Sequence, residues 1–378
     1  MATPRASTYS APSGGSVYAG TASPFGVIGA AAALLSPAAW QNISDLTNVA
    51  TVTDATAPNG TTAWLEGDND GAHPLLNWPG NITWDAPRKR VIAVGASNGF
   101  SSDTPAGKRT KTIFFDVLTG VFYSQWKPFD DNSGHQYDAN SSAPCSDGYI
   151  RRRSFNPGGA YKMDLTTNVW SAAEDLTGMG IASGASPSAE FFPTLGAQGS
   201  WMVVGTGGGG AQGRVGRLDI ASGDVTQPVP SSPGVGGPEV LARYHPGADL
   251  LVYGGGAGSS SLYKMTSAGA ASLLINSLPP GVSALGPQTS GSSVLAPDPL
   301  GRTHAWLFDF GATRKKWRID LAAGTPSWVD GGSIDSGLGS NVCITTIPEL
   351  GVHLLFDSKD GSRTSGLSNG QVWMHKPA

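Results

Sequence analysis

Tyr161-Lys-Met-Asp-Leu-Thr-Thr-Asn-Val-Trp170 reads as a strand, a tight turn and a second strand that ends on a large aromatic. Alternating apolar residues make a half-buried strand. Asp followed by Thr or Ser, then Gly or Asn, supplies side-chain acceptors for the turn and a residue that tolerates positive φ. The pattern recurs as Phe115-Asp-Val-Leu-Thr-Gly-Val-Phe122, Leu218-Asp-Ile-Ala-Ser-Gly-Asp-Val225 and Ile319-Asp-Leu-Ala-Ala-Gly-Thr-Pro-Ser-Trp328, with a weaker copy at Tyr263-Lys-Met-Thr-Ser-Ala-Gly-Ala270. The turn anchors fall at positions 116, 164, 219, 266 and 320, so the steps are 48, 55, 47 and 54 residues.

A second unit lies upstream of each copy, a turn followed by an apolar strand. It appears as Asp85-Ala-Pro-Arg-Lys-Arg-Val-Ile-Ala-Val-Gly95, Gly199-Ser-Trp-Met-Val-Val-Gly205, Pro246-Gly-Ala-Asp-Leu-Leu-Val-Tyr-Gly-Gly255, Gly301-Arg-Thr-His-Ala-Trp-Leu-Phe308 and Gly351-Val-His-Leu-Leu-Phe356, with a poorer copy at Asp147-Gly148-Tyr149-Ile150. Continuous apolar strands are buried on both faces. A period near 50 with four short strands per unit is the signature of a β-propeller.

An apolar strand ending in Gly254-Gly255, then a Tyr/Phe-x-Asp strand, then a Trp strand resembles kelch repeats and the central domain of galactose-oxidase-like proteins. The resemblance covers roughly residues 80 to 378 by repeat spacing. It implies an all-β, six-bladed kelch-like propeller whose binding face carries the loops between second and third strands. It does not imply an activity, because propellers host many unrelated functions.

With 53 Gly, 27 Pro and only 14% charged residues, the composition favours turns and short strands over helices. A net charge of −4 shows no bulk bias toward nucleic acid. Cys145 and Cys343 fall in different, non-adjacent repeats and are expected as free thiols, which suits a reducing compartment or a particle assembled in one.

Residues 1–38 stand outside the repeat and are expected as an extended arm, with the propeller over 39–378. Residues 2–24 are rich in Ser, Thr, Ala, Gly and Pro. The apolar run from Phe25 to Leu35 is too short to span a membrane. Ala39-Trp-Gln-Asn-Ile-Ser44 resembles the Trp strand that ends each blade, and the last repeat stops one strand short. The simplest closure places the Trp40 strand as the outer strand of the last blade, which ties the ring shut. Seven blades stay open on sequence, because residues 45–79 contain Thr61-Thr-Ala-Trp-Leu65.

The loops between second and third strands, and their edges, carry Lys108, Arg109 and Lys111, then Arg151, Arg152 and Arg153, then Arg214, Arg314, Lys315 and Lys316, and finally Lys359 and Arg363. They read either as an ordinary mixed surface or as an anion-binding rim for phosphate, sulfate or acidic sugars. Trp64 and Trp78 either pack on the ring face or stack on sugar rings. The binding candidates are therefore Trp64, Trp78, Lys108, Arg109, Arg152, Arg153, Arg314 and Lys315.

The six histidines, His73, His135, His245, His304, His353 and His375, are spread at most one per blade and show no ligand spacing. His135 and Tyr137 are a weak channel-lining pair. The run Gly207 to Gly210 opens no helix and so makes no phosphate cradle. No catalytic set, metal or cofactor is expected. These features point to a non-enzymatic structural or interaction propeller, a phage tail or virion-surface component that docks on other subunits through residues 1–38 and binds a partner protein or host glycan by a loop face. The alternatives are an extracellular carbohydrate-active enzyme or oxidase of galactose-oxidase type, and a sugar-binding lectin. Neither sequence-specific nucleic-acid binding nor a membrane span is expected.

Overall fold

The computed structural model describes residues 24–49, 80–94, 111–126, 142–153, 159–181, 187–206, 213–232, 235, 240–256, 259–286, 293–340, 342–357 and 370–378. These form six blades of four antiparallel strands each, and the sheet of the last blade gains a fifth, parallel strand at its inner edge. The inner strands are Thr83–Asp85, Ser142–Pro144, Ser188–Phe192, Val240–His245, Ser293–Pro297 and Val342–Ile347, for blades 1 to 6 in order. Each inner strand touches the inner strands of both neighbouring blades, so the series closes on itself around a central channel.

The repeat is physical as well as statistical. Asp116, Asp164, Asp219 and Asp320 each end the third strand of a blade. In each, Oδ1 accepts the backbone N–H two residues on, from Leu118 at 2.7 Å, Thr166 at 2.7 Å, Ala221 at 3.0 Å and Ala322 at 3.0 Å. The residue that closes the turn sits at positive φ, as at Gly120 (72°), Asn168 (58°) and Gly223 (76°). This is the Asp-then-Gly/Asn chemistry that the sequence pattern carries.

The second strands Ser200–Thr206, Leu250–Gly255 and Val352–Asp357 are buried at every position. Both faces of each sheet are covered by a neighbouring blade, so alternation has no exposed side to mark. Each fully buried Leu, Val or Ile there contributes about 1.5–3 kcal/mol relative to exposure.

The ring is closed as expected. Trp40–Asn42 adds to Gln371–His375 with the register Trp40↔His375, Gln41↔Met374 and Asn42↔Trp373. Ile43 N–H continues the ladder to Val372 O at 2.8 Å. Blade 6 thus joins the two ends of the described chain, and the ring has six blades. Thr61–Leu65 lies outside the described residues.

Residues 26–34 depart from the expected extended arm, because Gly26–Leu34 is an α-helix. Four consecutive alanines favour it. Ile28, Ala31, Ala32 and Leu35 are buried in a cluster with Val91, Phe115 and Val117 of blade 1 and Leu354, Phe356 and Met374 of blade 6. Gly26 is at φ 55°, and a Cβ there would lie 1.8 Å from Leu118 O, so only glycine lets the chain enter the helix beside that turn. The segment is apolar on nearly every side, which erases the 3.6-residue contrast by which helices are read. No helix of the described residues is long and apolar enough to cross a membrane.

Candidate functional site

Inner strands pair on one side only, so their free edges line the channel. A short length of the chain entering blade 1 covers one of these edges. Gly80–Asn81 runs parallel to Val342–Ile347, with Gly80↔Cys343 and Asn81↔Ile344, and Ile82 N–H reaches Ile344 O at 3.1 Å. Beside it lies a cavity of about 240 Å³ to which every blade contributes, through Trp84, Pro144, Phe191, Tyr244, Pro297 and Thr345. These residues sit toward the C-terminal ends of the inner strands, where each strand turns into the second strand of its blade.

One ion pair stands in the wall. Arg243 Nη1 donates to Glu190 Oε2 at 2.8 Å, with the two side chains 10% and 15% exposed. Glu190 Oε1 accepts the Phe191 backbone N–H at 2.9 Å. Burial pulls the Arg243 pKa down, and the Glu190 charge and hydrogen bond oppose it. Next to Arg243, the Tyr244 hydroxyl donates to Asp249 Oδ1 at 3.1 Å, and burial together with that carboxylate pushes its pKa up to about 12. The Trp84 indole donates to Glu349 Oε2 at 3.1 Å.

The wall at Pro297 is held from behind by a hydrogen-bond chain. Pro297 O accepts from Thr346 Oγ1 at 3.2 Å and pairs with His353 Nε2 at 3.0 Å. His353 Nδ1 meets His375 Nδ1 at 3.2 Å, and His375 Nε2 meets Lys316 Nζ at 2.8 Å. A carbonyl can only accept, so the neutral His353 carries its proton on Nε2 and accepts on Nδ1. His375 must then donate from Nδ1 and accept at Nε2, where Lys316 donates.

Burial lowers the His353 pKa to about 4. His375 is lowered further, by burial first and then by His353 and Lys316. Lys316 falls to about 8, again through burial. Trp40 of the closing strand covers the chain, 4.4 Å from the His375 ring and 5.0 Å from Lys316 Nζ. The sequence expectation of at most one histidine per blade is corrected here, because His353 and His375 are cross-strand partners in blade 6.

The other sequence candidates fall elsewhere. Arg152 and Arg153 are buried, at 3% and 5% exposure, rather than on a rim. Arg152 donates to Val94 O, and Arg153 to Ile181 O at 2.6 Å. Arg151 is also buried, between Asp147 and Glu174. Arg314 is half-buried and donates to four backbone carbonyls, of Phe310, Asp335, Leu338 and Gly339. Lys315 is exposed and paired with Asp330 at 2.6 Å. Lys316 is buried at 3%. Among the described residues these cations do not gather into an open anion-binding rim. Trp64, Trp78, Lys108, Arg109, His135 and Tyr137 lie outside the described residues. Both thiols are free and buried, and burial pushes the Cys145 pKa up to about 12. Among the described residues no three His, Cys, Asp or Glu side chains group as metal ligands.

No family model matches the chain, and no curated protein sequence matches it. Solved structures do. An auxiliary nutrient binding protein from Bacteroides ovatus is 12% identical, with a TM-score of 0.51 over 86% of this chain and 73% of that one. A streptogramin B lyase is 12% identical, with a TM-score of 0.46 over 80% and 93%. The β-propeller domain of Cps50 (Swd1) from Myceliophteria thermophila is 11% identical, with a TM-score of 0.44 over 80% and 84%. At these identities the likeness concerns fold alone and does not confirm the kelch or galactose-oxidase-like family. The chain is a six-bladed β-propeller, a fold that hosts many unrelated functions.

Proposed function

We propose that this kelch-like propeller is a non-enzymatic interaction subunit of a larger particle, a phage tail or virion-surface protein, tethered by residues 1–23 and binding a partner protein or host glycan through a channel face. The observation that carries the reading is the way the N-terminal region is fastened. The helix Gly26–Leu34 and the strand Trp40–Asn42 belong to the ring itself, in one core with blades 1 and 6. On this reading the docking segment is residues 1–23, since Gly26–Leu34 and Trp40–Asn42 belong to the ring. Residues 2–24 are rich in Ser, Thr, Ala, Gly and Pro, a composition that suits docking along a neighbouring subunit.

Limited proteolysis of the isolated full chain, read by mass spectrometry alongside light scattering, tests the proposal. Rapid cleavage confined to residues 1–23 of a monomer, with 24–43 resistant, is the expected result. Resistance of residues 1–23 in a monomer would overturn the tether.

A further inference from the structure

The cavity at the inner-strand ends contains a charge pair of which about a third of the bonding capacity is used. Arg243 carries five N–H donors. Its side chain is nine-tenths buried and lines the cavity, yet its one hydrogen-bond partner among the described residues is Glu190. Glu190 accepts one bond on each oxygen, from Arg243 and from the Phe191 N–H. A carboxylate has about four acceptor positions, so about two remain. Thr345, on the opposite side of the ring in blade 6, adds a hydroxyl to the same wall. The remaining surface is largely apolar, with Trp84, Phe191, Tyr244 and Pro297 prominent.

We propose that this cavity binds a small zwitterion of the α-amino-acid class with an apolar side chain, its carboxylate on Arg243 and its ammonium on Glu190. Charge balance selects this class. The pair is already neutral as a unit, so a bare anion on Arg243 would be set against the Glu190 carboxylate, and a bare cation against the guanidinium. A zwitterion gives each wall charge a partner of opposite sign and leaves none uncompensated. The planar Arg fork suits a carboxylate in two-point contact. Burial works against the Arg243 charge and only Glu190 opposes it, so a second anionic partner relieves a desolvation cost already present. Size agrees as well. The cavity of about 240 Å³ equals about eight liquid waters and lies below the roughly 300–1,000 Å³ of drug-sized pockets, which fits a single amino acid. The inference rests on reading the ring as a binding scaffold and not on the tether.

Isothermal titration calorimetry of the full-length chain with L-leucine and L-phenylalanine tests it. Saturable binding is expected with Kd between roughly 1 µM and 1 mM. Two truncated forms of leucine serve as internal controls on the unaltered protein. Isoamylamine lacks the carboxylate and 4-methylpentanoate lacks the ammonium, and each is expected to bind at least about tenfold more weakly, a loss of about 1.4 kcal/mol. Arg243→Gln is expected to weaken leucine binding by at least tenfold. Thr345→Val, a nearly isosteric change that keeps the pair intact, covers the case in which the Arg243 variant fails to fold, with a loss of severalfold. Absence of binding by both amino acids at about 10 mM, or equal binding by leucine and either truncated form, overturns the proposal. Neither result touches the tether, which is read by proteolysis alone.

Discussion

Acidification from neutral pH to about pH 5 should remove a large part of the stability of the ring, through three buried histidines. His245 has no well-formed hydrogen bond on either ring nitrogen, and burial, reinforced by Arg243, lowers its pKa to about 3. His353 is lowered to about 4 and His375 is strongly lowered. All three are neutral in the folded chain at pH 5, while in the unfolded chain they titrate near 6.5. The unfolded state therefore binds more protons, so stability is fully present above pH 6.5 and declines as the pH falls toward the folded values.

Each histidine contributes about 1.4 kcal/mol per pH unit in that window, or about 2 kcal/mol between neutral pH and pH 5. Three together give about 6 kcal/mol, against a typical domain stability of about 5–15 kcal/mol. The groups facing them limit other contributions. Lys316 and Trp40 stand over His375, Asp298 and Arg302 lie toward His353, and Arg243 and Asp298 lie toward His245. Asp298 is itself held below the ordinary carboxylate range by Arg302 and Trp306 against its burial, so its own loss falls at lower pH. Urea unfolding followed by tryptophan fluorescence at intervals from about pH 7 to about pH 5 measures the slope. His245→Leu removes one of the three protons and should cut the slope by about a third. A stability that stays level across this range, or a slope unchanged by His245→Leu, refutes the reasoning.

Two further tests concern the joints of the ring. Arg314→Met removes a guanidinium that gathers the carbonyls of Phe310, Asp335, Leu338 and Gly339, and should cost about 3 kcal/mol in denaturant unfolding. Arg314→Lys should recover less than half of that, since one ammonium cannot span the same set. Gly247→Ala places a Cβ 2.2 Å from Arg302 O and 2.4 Å from Gly301 O, where the turns of blades 4 and 5 meet. A loss of about 3 kcal/mol is expected, whereas Gly324→Ala, which meets nothing within 4 Å, should leave the unfolding midpoint in place.

The contrast between what the chain announces and what it conceals follows from range. The Asp-x-x-x-Gly/Asn turn completes its chemistry within five residues, so four copies could be aligned and the blades counted. The Trp40 strand was legible for a related reason, because the last repeat lacked one strand and only one unplaced segment had that form. Glu190 and Arg243 have no such local mark. They lie 53 positions apart in sequence, on inner strands of neighbouring blades, and their pairing exists only once those two blades pack together. Lys316, His353 and His375 are hidden in the same way, joined across blades 5 and 6.

Arg151, Arg152 and Arg153 are the more instructive failure, since the information for them was present. Three consecutive arginines suggest a solvated rim when charge is considered alone. Their place in the repeat is the second strand of blade 2, Tyr149–Arg153, which corresponds to strands elsewhere buried on both faces. Carrying the register through to residue 153 would have predicted buried guanidinium groups, with 151 and 153 on one face and 152 on the other. Each then requires a partner from flanking segments or an adjacent blade. Asp147 and Glu174 for Arg151, Ile181 O for Arg153 and Val94 O for Arg152 meet that requirement. In a propeller, repeat register outranks residue polarity in deciding exposure, because every sheet face is an interface between blades. Arg243 obeys the same rule from an inner strand. It is the case in which the supply of partners within the described ring stops at one, and that shortfall is what makes the cavity a site.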